Sequence, residues 1–261
     1  EFTNIIKIGR TELQEAVPMT LGAEFSSFAE AAARDRWRTF KCEERLRTVN
    51  IGGTAVGTGL TAPRDYIFLV IEKLRDITGL GLCRGENLID QTANADVFTE
   101  VSGILKAHAV NLIKISNDLR MLHFLKEIEL PPLQTGSSIM PGKVNPVMLE
   151  AAIQAGIKIT ANDYIITESV SKGTFQINEF MPLLSFALLE SIDILINIDS
   201  ALAGHILRIK ANLLKCKEYS DKSPTIITAF LPFIGYDRAG LILKEFSSSG
   251  EINLREFLTG K

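Results

Sequence analysis

Cysteine is scarce in this sequence, and the spacings typical of disulfide frameworks and metal sites are missing. The three cysteines, Cys42, Cys83 and Cys216, lie far apart and form no Cys-x-x-Cys pair. An odd number of widely separated cysteines predicts free thiols in a reducing compartment, so we expect a cytoplasmic protein. The three histidines do not follow a metal-ligand spacing either, and we therefore expect no metal site.

Blocks of one charge and long apolar runs are also missing. Lys and Arg number 28 against 31 Asp and Glu, which gives a formal net charge of −3. Without a basic block there is no electrostatic footprint for nucleic acid, so we expect no nucleic-acid partner. No apolar run reaches the roughly 18 residues that a membrane helix needs, so we expect no membrane span. Hydrophobic residues make up 46% of the chain, which argues against disorder and leaves small molecules or proteins as partners.

The sequence is rich in helical periodicity. Apolar residues recur every three or four positions over residues 20–50, 97–126, 145–172 and 182–209, and over a shorter segment at 64–78. At about 1.5 Å per residue, each of the four long segments would span roughly 45 Å as a helix. Helices of this length are stable when they pack on one another. Because alternating strand patterns are nearly absent, we expect an all-α fold, a long-helix bundle.

The helical pattern changes after Leu213 to short pieces separated by prolines and glycines. We therefore expect a central helical-bundle domain at residues 1–213 and a small C-terminal helical subdomain at residues 214–261. Two stretches, 151–166 and 185–198, carry apolar side chains on more than one helical face. A helix that is apolar over a wide arc has to be covered on that arc, so we expect a homo-oligomer.

The most informative segment is GSSIMPGKVNP, residues 136–146. It places Ser137 and Ser138 beside a glycine, and Lys143 and Asn145 at the start of a long predicted helix. Free N–H groups at a helix start attract anions, and Lys143 adds positive charge, so a carboxylate is the expected ligand. A serine held in a turn rich in N–H donors could lose its proton and act as a base. These residues alone leave two interpretations open, an anion-binding site or a plain capping loop.

Neither glycine-rich segment has the context of a nucleotide-binding loop. Residues 57–62 fit G-x-G-x-x-A, but no strand pattern precedes them and Pro63 follows. The second segment has five residues between Gly136 and Gly142, where the phosphate loop needs four, and Val144 replaces the hydroxyl that binds magnesium. We therefore expect no nucleotide cofactor.

The segment GSSIMPGKVNP resembles the signature of the aspartase/fumarase superfamily. Other segments resemble the superfamily in the expected order along the chain: GRTELQEAVPMTLGAEF (residues 9–25), NIGGTAVGTGL (50–60), ISNDLRML (115–122) and ITAFLPFIGYDRA (227–239). Within the superfamily, three short motifs are more similar to the aspartate ammonia-lyases than to the fumarases: Ala62-Pro63, the run from Asn117 to Arg120, and the corner from Pro232 to Gly235.

The resemblance implies a homotetramer with a central bundle of long helices, in which each active site draws residues from three subunits. It implies the reversible elimination of ammonia from L-aspartate to give fumarate, without a redox cofactor. By motif position, Ser137 resembles the general base that removes the Cβ proton. Lys143 and Asn145 resemble the residues that hold a substrate carboxylate. Thr11 resembles a further pocket contact, and Ser138 is expected in the same pocket.

The sequence also departs from the superfamily pattern. Glu12 stands where the superfamily usually carries His or Gln after Gly-Arg-Thr, and a carboxylate there would repel an anionic substrate unless it is protonated or paired. No segment of these 261 residues resembles the superfamily's N-terminal region with its Thr/Ser-rich substrate loop, and the stretch at 123–132 is shorter than the expected connection. Either a natural deletion or residues outside this sequence would explain both gaps. Two alternatives stay open: a fumarate hydratase acting on the same dicarboxylate skeleton, and a catalytically inactive structural bundle if the N-terminal part is truly missing.

Overall fold

The structure, a computed structural model, describes residues 1–134, 136, 138–251 and 253–259. The helices of these residues are α1 (Leu21–Arg45), α2 (Arg64–Thr78), α3 (Leu88–Ala93), α4 (Asp96–Phe124), α5 (Val147–Ser171), α6 (Met181–Ile206), α7 (Leu213–Lys222), α8 (Leu231–Ile234), α9 (Tyr236–Ser249) and α10 (Leu254–Thr259), with a 3₁₀ helix at Pro224–Phe230. The strands are short: β1 (Ile6–Thr11), β2 (Gln14–Thr20), β3 (Thr48–Val49), β4 (Cys83–Arg84), β5 (Ile128–Glu129) and β6 (Lys210–Ala211).

The predicted all-α bundle is confirmed. Helices α1, α4, α5 and α6 fall on the four long periodic segments, and α2 falls on the shorter one. Helix α1 ends at Arg45, earlier than expected, because the chain turns there into β3. After Leu213 the helices are short, and Gly235 and Gly250, both with positive φ angles, lie between them.

The described chain divides into two compact units. Unit 1 comprises Glu1–Glu30, Asp118–Asn145 and His205–Lys261, and unit 2 comprises Ala31–Asn117 and Pro146–Gly204. The domain boundary between residues 213 and 214 stays a prediction.

Unit 2 is built from long helices that pack through regularly spaced apolar residues. On α4, buried side chains recur at helical intervals, at Val101, Leu105, Ala109, Leu112 and Ile115. Polar contacts add to this packing: Asn162 on α5 donates a hydrogen bond to Ala187 O on α6 at 3.2 Å and another to Ser191 Oγ at 3.1 Å. Buried amides that are satisfied in this way fix the register of neighbouring helices.

Helix α6 is long and apolar enough to cross a membrane, judged by length and composition alone, with a mean hydropathy of 1.7 over its most apolar window. The sequence criterion of an uninterrupted apolar run missed this helix, because Glu190 and Asp193 interrupt the run. The central helix of a bundle has the same length and composition, and Ser191 on α6 is buried in hydrogen-bond contact with α5.

Unit 1 combines a β-hairpin with the short helices of the C-terminal region. Strands β1 and β2 pair antiparallel, and β5 pairs antiparallel with β6. Helix α7 packs against β1, and the 3₁₀ helix packs against β2. The C-terminal helices share a small apolar core, in which the rings of Phe246 and Phe257 meet edge to face at 5.5 Å.

The glycine-rich segment after α1 is a packing feature. Contrary to the sequence expectation, a strand does precede it, since β3 pairs parallel with β4. This strand ends at Val49, and the chain then turns several times before α2 begins at Arg64. A Cβ on Gly57 would lie 2.3 Å from Leu88 O, so the close approach of this loop to α3 requires glycine.

Candidate functional site

The segment predicted to bind an anion forms a loop that closes on itself in unit 1. Gly136 N donates a hydrogen bond to Lys143 O at 2.9 Å, and Asn145 Nδ2 donates to Gly136 O at 3.0 Å. Inside the loop, Lys143 N donates to Met140 O at 3.3 Å. These bonds bring the two ends of residues 136–145 together, as in the compact surface loops that often carry functional residues.

Closure of this loop depends on a glycine at position 136. A Cβ there would lie 2.2 Å from Lys143 O and 3.2 Å from Asn145 N. Both distances are below van der Waals contact, so any side chain at this position would push the two ends of the loop apart. The Gly-Ser-Ser motif therefore includes a glycine that the backbone geometry requires.

The loop presents polar groups of the kind that the sequence predicts for a carboxylate site. Ser138 and Lys143 are exposed, and Asn145 is half-buried. Asn145 uses one of its amide N–H groups to close the loop, and an amide has two. Ser137, the predicted base, lies outside the described residues.

Thr11 and Glu12 lie at the tip of the β1–β2 hairpin. Thr11 pairs with Gln14, and the two residues between them turn the chain with positive φ angles of 50° at Glu12 and 62° at Leu13. Non-glycine residues rarely adopt this region, and strain of this kind is concentrated at functional sites. The side chain of Glu12 is exposed and makes no ion pair with any described residue.

The structure thus groups the predicted site residues in two places. Ser138, Lys143 and Asn145 share the loop, whereas Thr11 and Glu12 share the hairpin tip. Within the described part of the chain, no hydrogen bond joins the side chains of Thr11 or Glu12 to those of Ser138 or Lys143. Both places belong to unit 1.

Sequence reasoning missed a group of charged residues beside the β1–β2 hairpin. Glu127, which immediately precedes β5, is fully buried and binds Lys7 and Arg10 of β1. Glu24 on α1 binds Lys7 from another side. The local sequence gave no signal for this group, because Arg10 and Glu127 are 117 residues apart.

Two histidines have perturbed pKa values. His108 on α4 lies between Asp35 and Asp199; burial lowers its pKa, but the hydrogen bonds and charges of the two carboxylates raise it by more, so the net change is upward. Burial and then the charge of Arg208 lower the pKa of His205, whose ring nitrogens have no hydrogen-bond partner among the described residues.

No group of three or more His, Cys, Asp or Glu among the described residues has an arrangement that could hold a metal ion. His108 with its two aspartates is therefore a hydrogen-bonded cluster of the bundle. The loop and the hairpin tip both present exposed polar residues, among them Ser138, Lys143, Thr11 and Glu12.

Comparison with known proteins identifies the family. A family model described as "Lyase" matches residues 1–161, which is more than half of the chain. The chain belongs to this lyase family. Two relatives of the lyase are proteins named aspartate ammonia-lyase: one from Bacillus sp is 44% identical over 98% of this chain, and one from Bacillus subtilis (strain 168) is 43% identical over 96%.

Solved structures of related lyases share the fold. A fumarate lyase:delta crystallin from Brucella melitensis, bound to cobalt, is 40% identical with a TM-score of 0.94 and covers 99% of this chain. A recombinant class II fumarase from Schistosoma mansoni is 30% identical with a TM-score of 0.86 and covers 98%. The predicted membership in the aspartase/fumarase superfamily is confirmed.

The lyase chain spans about half the length of the curated relatives that it matches. It covers 56% of the Bacillus sp relative, 54% of the Bacillus subtilis relative and 57% of the Brucella melitensis chain. The features described above therefore correspond to one part of each relative.

Proposed function

We propose that the protein is an aspartate ammonia-lyase, which eliminates ammonia reversibly from L-aspartate to give fumarate. The observation that carries the proposal is the 40–44% identity, over at least 94% of this chain, to several proteins with that name. Identity to the class II fumarase is lower, at 30%. The closed loop at 136–145 and the hairpin tip with Thr11 supply the polar groups that such a reaction needs.

In the proposed mechanism, Ser137 is the base. Its alkoxide takes the proton from Cβ of aspartate, and the electron pair of that C–H bond passes into the neighbouring carboxylate to give an aci-carboxylate intermediate. The pair then returns to form the double bond between Cα and Cβ, while the C–N bond breaks with its electron pair and releases ammonia. Serine is an ordinary alcohol with a high pKa, so it needs a turn rich in N–H donors to stabilise its alkoxide. We propose that the residues around Ser137 supply these donors.

Removal of a proton beside a carboxylate places two negative charges on one pair of oxygens. The site must therefore hold positive charge and hydrogen-bond donors in place before the reaction. We assign this role to Lys143 and to Asn145, whose second amide N–H remains available after loop closure. Thr11 and Ser138 are proposed as further contacts with substrate, and Glu12 lies beside Thr11 at the turn of the hairpin.

We also propose that the protein assembles as a homotetramer whose active sites are shared between subunits. Helix α6 presents large exposed apolar side chains, among them Phe186 at 67% and Leu189 at 61% exposure. With α5 they border a mainly apolar groove of about 770 Å³ in unit 2. A mainly apolar groove flanked by large exposed apolar side chains supports coverage by a second copy of the chain.

Mass measurement in solution tests the assembly. Phe186→Asp, in the groove, should reduce the mass of the particle because the charge would be buried at the contact. Ile77→Asp, an equally drastic change at a side chain of α2 with 81% exposure, is the control and should leave the mass unchanged. A monomeric wild-type protein would refute this part of the proposal.

We propose a reducing, cytoplasmic location as well. Cys42, Cys83 and Cys216 are all free thiols, which supports a compartment that keeps cysteine reduced.

Formation of fumarate, followed by its ultraviolet absorbance, tests the activity. The purified protein receives L-aspartate or L-malate, and we expect fumarate from aspartate. Turnover of malate alone would favour a fumarate hydratase, and no turnover of either would favour an inactive bundle. Ser137→Ala should lower kcat by about 10³-fold or more, whereas the exposed-helix control Ser248→Ala should not. Unchanged kcat in Ser137→Ala would remove Ser137 from the mechanism.

A further inference from the structure

Two cations of strand β1 lie against one carboxylate. Lys7 Nζ lies 2.9 Å from Glu127 Oε2, and Arg10 Nη1 lies 2.7 Å from Glu127 Oε1. The pairing of β1 with β2 shifts between these two cations: Ile8 pairs with Pro18 and Arg10 with Glu15, so one residue of β1 faces two residues of β2. A β-bulge of this kind, with its extra residue on β2, disrupts the ladder and increases the local twist.

The charges in this group balance where water has little access. The side chain of Glu127 is 0% exposed and that of Lys7 is 2% exposed. Glu24 Oε2 lies 2.6 Å from Lys7 Nζ, so two carboxylates face two cations. Loss of Glu127 would leave Arg10 without its carboxylate, whereas Lys7 would keep Glu24. Arg10 is therefore the member of β1 that depends most on Glu127.

Further contacts hold Arg10 in one orientation. Its Nη1 also donates to Ile8 O at 3.3 Å, across the shift in the strand. Its guanidinium carbon lies 5.1 Å from the centroid of the Tyr219 ring on α7, within the range of a cation–π interaction. Thr11 directly follows Arg10, so the contacts that fix Arg10 also fix the backbone from which the Thr11 side chain extends.

The backbone of Glu127 is held as firmly as its side chain. Its carbonyl oxygen accepts a hydrogen bond from Asn212 N at 2.9 Å and one from Cys216 Sγ at 3.6 Å. Glu127 is thus fixed through its side chain to β1 and through its carbonyl to the start of α7.

We propose that Glu127 is a positioning residue, which holds Arg10, and through Arg10 the adjacent Thr11, in the orientation that the substrate site needs. This inference rests on the proposed function, because it concerns the same substrate site. Glu127 is not a catalytic residue: it is fully buried and acts through Arg10. Its loss should weaken substrate binding through Thr11 more than it slows the chemical step.

Hydrogen exchange tests the connection without reference to activity. Glu127→Gln should raise the exchange rate of the amides of residues 9–11 about tenfold over the rate in Glu24→Gln. Glu24→Gln is the matched control. It also removes one negative charge and one carboxylate partner of Lys7, but Glu24 has no ion pair with Arg10. Equal exchange in the two variants would overturn the proposal.

Kinetics test the effect on the site. Glu127→Gln should raise KM for aspartate about tenfold, with a smaller fall in kcat. In a protein that already carries Thr11→Val, the same change should raise KM no further, because its effect passes through Thr11. If Glu127 had a purely structural role, Glu127→Gln would lower kcat equally in the wild-type protein and in Thr11→Val and would leave KM unchanged. That result would overturn the proposal.

Arg10→Gln keeps the proposal testable if Glu127→Gln does not fold. It breaks the same contact from the more exposed partner, and it should raise both the exchange of residues 9–11 and KM. The failure of the proposed function would look different: a wild-type protein that makes no fumarate from aspartate. In that case the hydrogen-exchange comparison still decides whether Glu127 holds β1.

Discussion

His108 Nε2 lies 3.0 Å from Asp199 Oδ2, so an imidazole on α4 is joined to a carboxylate on α6. The other ring nitrogen, Nδ1, lies 3.1 Å from Asp35 Oδ2 on α1. Asp35 also accepts a hydrogen bond from Asn111 at 2.7 Å and faces Arg38 at 3.3 Å. A protonated imidazole is the form that can donate to both aspartates, and it ties three helices of unit 2 together.

The first prediction is that the stability of the bundle falls at alkaline pH through His108. Its folded pKa is raised above the ordinary value of 6.5, because Asp199 and Asp35 together outweigh burial. A group that binds its proton more tightly in the folded state stabilises that state for as long as the proton stays bound. The stabilisation is therefore complete below pH 6.5 and is lost as the pH rises through the raised pKa.

Urea unfolding at a series of pH values from about 6 to 9 checks this prediction. His108→Gln should be less stable than wild type by about 1–3 kcal/mol at pH ~6, and the difference should shrink toward pH ~9. Glu72→Gln, at an exposed carboxylate on α2, is the control and should keep the wild-type pH profile. A difference between His108→Gln and wild type that does not depend on pH would contradict the assignment.

The second prediction concerns the contact between α4 and α5. A Cβ on Gly156 would lie 2.6 Å from Ile113 Cγ1 and 3.0 Å from Ala109 O. Gly156→Ala should therefore destabilise the protein by about 1–3 kcal/mol, although alanine favours helices. Gly103→Ala on α4 meets no atom within 4 Å and should stabilise by about 0.5–1 kcal/mol. Thermal unfolding of both variants checks this prediction: Tm should fall in Gly156→Ala and rise in Gly103→Ala. Equal shifts in Tm would contradict the close contact at Gly156.

The sequence alone predicted those elements whose apolar residues repeat at regular intervals. Helices α1, α4, α5 and α6 were predictable because their apolar residues repeat over many turns. The β1–β2 hairpin was not, because its turn is Glu12-Leu13, whereas turns with two positive φ angles usually contain Asn-Gly or a similar pair. Pro18 within β2 also argues against a strand.

The same distinction applies to the candidate site. The loop residues Ser138, Lys143 and Asn145 are close in sequence, so one motif predicted them together. The role of Glu127 depends on its ion pairs with Lys7 and Arg10, which are distant in sequence, and on its burial, and neither is visible in a local pattern. Long-range ion pairs of this kind become apparent only in three dimensions.

The third prediction separates the three thiols by reactivity. Burial, followed by the charge of Glu127, raises the pKa of Cys216 to about 11, and Cys42 is also buried with a raised pKa. Cys83 is exposed. Because the thiolate is the reactive form, a thiol reagent at pH ~8 should modify Cys83 quickly and the other two slowly. Cys83→Ser should remove the fast phase, and a fast phase that survives in this variant would contradict the burial of the other thiols.

The fourth prediction concerns closure of the loop. Gly136→Ala places a methyl group 2.2 Å from Lys143 O, so the loop cannot keep its closed form. We expect kcat/KM for aspartate to fall about 10²-fold or more, because small displacements of catalytic groups have large effects on rate. Stability should change little, since the loop lies at the surface. Gly240→Ala on α9, which meets no atom within 4 Å, is the matched control. Full activity in Gly136→Ala would show that closure is not required.

The fifth prediction concerns Glu12, the exposed carboxylate at the hairpin tip beside Thr11. If substrate binds at Thr11, the negative charge of Glu12 opposes the approach of a dicarboxylate, and more strongly for fumarate than for aspartate, whose ammonium group offsets one charge. Glu12→Gln should therefore lower KM for fumarate in the reverse reaction about threefold or more, with a smaller effect on KM for aspartate. The difference between wild type and variant should shrink as salt is added, because the charge is exposed. The control Glu15→Gln removes a carboxylate that is bonded to Ser223 at 2.6 Å and should leave the ratio of the two KM values unchanged. A rise in KM for aspartate in Glu12→Gln would contradict repulsion and would indicate that this carboxylate binds the substrate ammonium instead.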